Sequence, residues 1–241
     1  MNNNIEIYKA ETRGFAKYDW LESFHSFSFS TYYNPNRMRF GLLRVLNDDS
    51  VSPKSGFATH PHANMEIISI PLAGTITHQD SMGSLFDITE NYIQIMSAGT
   101  GIEHSEWNHS SDINAKFLQI WIYPKELNIK PRYDMKYFNP EIFHNNFKLV
   151  VSPDINDETL QINQDAYLSL ARISAETIVP YQVKNTENGV FIFVIKGNIE
   201  FNKFELNKRD SASLKLPNNT IEINAKTESH ILIIEVPLIK K

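Results

Sequence analysis

The sequence predicts an all-β protein built as two halves. Three features point there: many short runs rich in Ile, Val, Phe and Tyr, turn residues between them, and almost no helical periodicity. In the first half the runs cover residues 40–46, 66–72, 92–96 and 116–123. In the second they cover 166–173, 189–195, 198–201, 220–223 and 230–236. Ala73-Gly74, Lys196-Gly197 and Leu216-Pro217-Asn218-Asn219 supply turns between them. Such a pattern reads as sandwich or barrel. Pro180 argues against a helix over 176–184. Residues 124–147 hold Pro124, Pro131 and Pro140 and little apolar alternation. The expected division is therefore a domain over 1–130, a linker over 131–147 and a second domain over 148–241.

Composition narrows the function classes. The chain has 241 residues, 41% of them hydrophobic, with 15 Phe and 10 Tyr to fill a core. Lys and Arg number 23 against 28 Asp and Glu, a net charge of −5, and the cations are scattered. That argues against nucleic acid as a partner, because phosphate contacts need clustered cations. There is no cysteine, which excludes disulfides, thiolate nucleophiles and sulfur-ligated metal sites. The first residues lack a basic stretch followed by an apolar one, and no apolar run nears the roughly 20 residues that span a bilayer. The expectation is a cytoplasmic protein that does not enter membranes.

Two pairs of residues carry the chemistry. In a strand, side chains at i and i+2 share a face. His60-Pro61-His62 therefore offers two imidazoles to one side, and His104-Ser105-Glu106 repeats the geometry with a carboxylate. Two adjacent strands, each with such a pair, can set four nitrogen and oxygen ligands around one point. One pair alone would read as a surface turn, since Pro61 cannot donate to a ladder.

The segment from Gly56-Phe57-Ala58-Thr59-His60-Pro61-His62 to Glu66 resembles the first cupin motif of the pirin family. Gln94 to Asn108, with Gly101, His104 and Asn108 in the spacing Gly-x-x-His-x-x-x-Asn, resembles its second. Ser23-Phe24-His25-Ser26-Phe27, Tyr32-Tyr33-Asn34-Pro35 and Leu43-Arg44-Val45-Leu46-Asn47 extend the likeness, which is dense over 13–125 and thinner after 148. Asn64 and Glu90-Asn91 depart from the family's usual Asp and Gly-Asp. The resemblance implies a bicupin: two antiparallel β-barrels of jelly-roll type packed face to face. It implies metal bound by His60, His62, His104 and Glu106 in the first half only. Fe(II) is the first choice, with Mn, Ni, Cu or Zn as alternatives. It also implies a quercetin 2,3-dioxygenase that cleaves a flavonol with O2 and releases carbon monoxide, with Glu106 as the base for the 3-hydroxyl proton. The alternative is a metal-dependent redox sensor or transcriptional co-regulator acting through a protein partner. A vestigial cupin would have lost ligands.

The other titratable residues are read more plainly. Glu66 shares parity with His60 and His62 and is expected to orient an imidazole rather than ligate. His78 is expected at the surface or rim, His25 partly buried and satisfied, and His109, His144 and His230 at the surface. Phe27, Phe40, Phe57 and Trp107 are expected in the core.

Overall fold

The computed structural model describes residues 4–155, 158–215 and 217–239. Leu216, part of one expected turn, lies outside them. No α-helix occurs among the described residues; short 3-10 turns at Ala10–Thr12 and Pro140–Phe143 are the helical pieces. The strands before residue 138 are β1 (Ile5–Tyr8), β2 (Gly14–Lys17), β3 (Leu21–His25), β4 (Leu43–Val51), β5 (Ser55–His62) and β6 (Glu66–Ala73). They continue as β7 (Thr75–Asp80), β8 (Leu85–Thr89), β9 (Tyr92–Ser97), β10 (Ile102–Asn108), β11 (Ala115–Ile122) and β12 (Arg132–Tyr137). The second half holds β13 (Lys148–Ser152), β14 (Leu160–Gln161), β15 (Tyr167–Ile173), β16 (Thr177–Gln182) and β17 (Asn188–Lys196). It ends with β18 (Asn198–Phe201), β19 (Phe204–Asn207), β20 (Ser211–Leu214), β21 (Thr220–Ala225) and β22 (Ser229–Pro237).

Each half is a seven-stranded sheet facing a four-stranded one, the arrangement of a cupin domain. In the first half the order β12-β9-β6-β11-β4-β3-β2 faces β5-β10-β7-β8. In the second, β1-β20-β17-β22-β15-β13-β14 faces β16-β21-β18-β19. Pro61 on β5 and Pro180 on β16 both lie on edge strands, where a missing N–H can face outward.

Strand pairing departs from the expected division at two places. β1 joins the second half, with Ile5 opposite Leu214 and Ile7 opposite Ala212. Ile5 and Ile7 pack there on the core of the second barrel. The segment expected as linker contains β12, which extends the first half's sheet along β9 from Arg132↔Ser97 to Tyr137↔Tyr92.

The cores differ in a way that decides where chemistry can occur. The two large sheets pack face to face through Phe27, Leu46, Ile68, Ile120, Phe191 and Ile234, all buried. The interior of the second barrel is apolar, filled by residues such as Tyr181, Val190, Ile192, Ile223 and Ile233. The interior of the first holds only small apolar clusters around Phe117 and Met96. Between them lie buried Asn47, Asp49, Ser69, Gln94, His104 and Glu106.

Candidate metal centre

β5 and β10 run antiparallel with His60 opposite His104 and His62 opposite Ile102. Gly99 and Gly101 take positive φ, 48° and 141°, in the turn that delivers β10. Strand alternation aims His60 and His62 inward, and His104 and Glu106 are buried on the facing strand. One donor atom from each of His60, His62 and His104 lies within 4.8 Å of the other two. Glu106 shares the face of His104 but is not part of that group. A register shift between His104 and Glu106 sets it opposite Phe57. Gln119 Nε2 donates to its Oε2 at 2.8 Å, and the Ser69 hydroxyl lies 3.3 Å from its Oε1. Burial pushes its carboxyl pKa up, opposed by the hydrogen bond from Gln119.

The imidazoles are arranged as ligands. His60 Nδ1–H donates to the Ala58 carbonyl at 2.7 Å, which frees the Nε2 lone pair. Asp80 Oδ2 accepts from His78 Nε2–H at 3.0 Å; in the neutral imidazole His78 Nδ1 is then an acceptor. His104 Nδ1 lies 3.3 Å from that atom and must carry the proton between them. The lone pair of His104 is thereby directed to Nε2, which is buried without a partner. His62 Nε2 is likewise buried and unpaired. Burial, then neighbouring imidazoles, holds His104 down to about 2 and His62 to about 4, so both are neutral at neutral pH. Neutral, orphaned and convergent nitrogens are what a divalent ion requires.

Four readings from sequence change here. His78 is fully buried, not at the rim, and its ring stacks on Tyr133 at 4.5 Å. The signal was present in β7, where Ile76, His78 and Asp80 alternate with outward residues. Glu66 does not orient an imidazole. It lies on β6, and its Oε2 accepts from Ser97 Oγ at 2.8 Å and from the backbone N–H of Asn163 at 3.1 Å, tying the halves together. His230 is half-buried in a cleft between the halves rather than at the open surface. His25 is almost fully buried rather than partly, and it is not fully satisfied, since its Nδ1 has no partner.

The triad opens on a cavity of about 440 Å³. Its walls are aromatic, with Tyr18, Trp20, Phe29, Phe57 and Trp121, while Ser23, His25, Asn47 and Asp49 form a polar side. Trp121 meets His62 edge-on at 4.9 Å, and its Nε1–H has no acceptor. Burial raises the Asp49 carboxyl to about 7, with the charge of Glu106 adding to the rise.

Fold and site together define a two-domain cupin protein whose first barrel carries three converging imidazoles, His60, His62 and His104, able to hold a divalent metal. The Pirin family pattern matches residues 8–122, and that of the quercetinase C-terminal cupin domain matches 149–236. The chain belongs to the pirin family. It is 41% identical to a quercetin 2,3-dioxygenase of Escherichia coli over 97% of this chain and 99% of that protein. It is 35% identical to a pirin-like protein of Caulobacter vibrioides over 92% of this chain and 95% of that one. The crystal structure of YhhW from Escherichia coli superposes with a TM-score of 0.92 at 40% identity, covering 98% of this chain and 99% of that one. A structure of the same bacterial pirin in complex with nickel(II) gives 0.91 at 40% identity, covering 98% and 100%.

Proposed function

We propose that this protein is a metal-dependent quercetin 2,3-dioxygenase that opens the heterocyclic ring of a flavonol. Both oxygen atoms of O2 enter the product, and one ring carbon leaves as carbon monoxide. The observation that carries the reading is the union of three convergent imidazoles with a flat-walled aromatic cavity large enough for a small ligand. The name of the Escherichia coli relative supports the same substrate. A divalent ion, Fe(II) in our reading, supplies Lewis-acid and redox chemistry toward a chelating substrate.

The protein's own groups do the rest. His60, His62 and His104 hold the ion, and we assign Glu106 as the fourth ligand and as the base. Its buried carboxylate is oriented by Gln119 and beside Ser69, and burial raises its proton affinity. It takes the proton of the substrate 3-hydroxyl. Trp20, Phe57 and Trp121 confine the flat rings and exclude water.

The test is oxygen uptake and carbon monoxide release on quercetin by the Fe(II)-loaded full chain. Equal molar uptake and release are expected. Glu106→Gln should keep much of the metal through three imidazoles and lose about 10²–10⁴-fold in turnover. Absence of carbon monoxide would end the dioxygenase reading, and full turnover per bound ion in Glu106→Gln would end the assignment of the base.

A further inference from the structure

A polar row crosses the large sheet of the first barrel on the side facing the triad. His25 on β3 stands opposite Asn47 on β4. Asn47 stands opposite Gln119 on β11, Gln119 opposite Ser69 on β6, and Ser69 opposite Gln94 on β9. Part of this row is consumed within the protein, although Gln94 Oε1 at its far end is buried without a partner. Gln94 Nε2 donates to Ser69 Oγ at 2.8 Å, Ser69 Oγ lies 2.8 Å from Gln119 Oε1, and Gln119 Nε2 donates to Glu106.

The other end is left open. With Asp49 ionised, Ser23 Oγ donates to Asp49 Oδ1, which commits its proton. His25 Nε2–H must then donate to Ser23 Oγ, 2.8 Å away, leaving Nδ1 as an acceptor. Burial holds the His25 imidazole down to about 4, in keeping with that neutral tautomer. His25 is 2% exposed and Asn47 3% exposed, and neither His25 Nδ1 nor Asn47 Oδ1 has a donor. Both residues line the cavity that holds His60, His62 and Glu106. Buried acceptors are nearly always matched by a donor, so two unmatched ones side by side on paired strands need explaining.

We propose that His25 and Asn47 form a hydroxyl-binding subsite that receives phenolic hydroxyls of the substrate ring remote from the metal. This rests on the flavonol reading above and extends it to ring substitution. Two adjacent acceptors call for two adjacent donors, as on a 3,4-dihydroxyphenyl ring. Asn47 and His25 lie one and two strands beyond Gln119, about 5 and 10 Å at the usual strand spacing, a reach on the scale of a phenyl ring. The aromatic walls leave that ring free to stack while its edge meets the row.

The test compares quercetin with its analogue lacking both pendant-ring hydroxyls, on the nickel(II)-loaded full chain under argon. Binding is read by titration, without turnover. Wild type should bind quercetin about tenfold or more tightly than the analogue, the scale of two neutral hydrogen bonds. In Asn47→Leu and His25→Phe, each checked for folding by thermal melting, the preference should fall below about threefold while affinity for the analogue holds. Equal affinity of wild type for both flavonols, or binding of neither, would overturn the subsite, and that comparison stands even where a variant fails to fold. Iron-loaded protein given O2 then separates the two claims. Preferential binding without turnover of either flavonol would overturn the dioxygenase reading and leave the subsite in place.

Discussion

Replacing Asp80 by Asn should weaken metal binding from a distance, without removing any ligand. Asp80 uses its oxygens for different tasks. Oδ1 accepts from the N–H of Met82 at 2.9 Å and of Ser84 at 3.0 Å, which shapes the turn after β7. Oδ2 accepts from His78 Nε2–H. In Asp80→Asn the amide oxygen can keep both turn bonds, while the amide nitrogen now presents protons to His78. His78 Nε2 must become the acceptor, and its proton moves to Nδ1, toward His104 Nδ1 at 3.3 Å. His104 then carries its own proton on Nε2, the atom that should face the ion. Loss of such an orienting partner typically costs 10–100-fold in metal affinity, or about 1.4–2.8 kcal/mol. Competition for nickel(II) against a chromophoric chelator measures the loss, and melting of the metal-free variant reports on the fold. Unchanged nickel affinity in a folded Asp80→Asn chain would refute the tautomer argument. A large loss of metal-free stability would show Asp80 to be a structural residue instead.

Two further outcomes follow from other parts of the molecule. Phe191 packs on Tyr8, Phe27 and Phe40 with ring centroids 5.9, 5.5 and 5.8 Å away, so Phe191→Ala should cost about 3–5 kcal/mol in urea unfolding. Since those rings come from the first half and from β1, both halves should melt in one transition; a second transition left at the wild-type position would contradict shared packing. His230 is held down to about 4 by burial, then by Arg172, Arg209 and Lys196. The unfolded chain takes up that proton near pH 6.5, so this group's contribution to stability falls as pH drops from 6.5 toward 4. A ring-proton NMR titration should find its midpoint near 4, and a midpoint near 6.5 would contradict the burial.

His60, His62 and His104 were legible because strand alternation fixes their direction wherever the chain is extended, and because both segments lie beside glycines. β7 was harder to read, since Thr75–Asp80 is short and its inward face carries His78 and Asp80 beside the single apolar Ile76. Pairing across long separations was also hidden. Nothing local in Ile5–Tyr8 says that it completes the second half's sheet beside β20, because an edge position depends on which strand lacks a neighbour. The polar row from His25 to Gln94 is likewise a product of register among five strands, each of which contributes one unremarkable polar residue to it. Glu66 misled because its parity was counted from His60 across the break between β5 and β6, and a turn erases parity.

Metal content per chain tests the central claim most directly. Elemental analysis of the full chain, reconstituted with nickel(II) and desalted, should give one ion per chain for wild type and less than about a tenth of an ion for the His62→Ala, His104→Ala double variant, because one imidazole, even with Glu106 beside it, cannot hold what three hold. Retention of a full ion by the double variant, or two ions in wild type, would place the metal elsewhere and contradict the account.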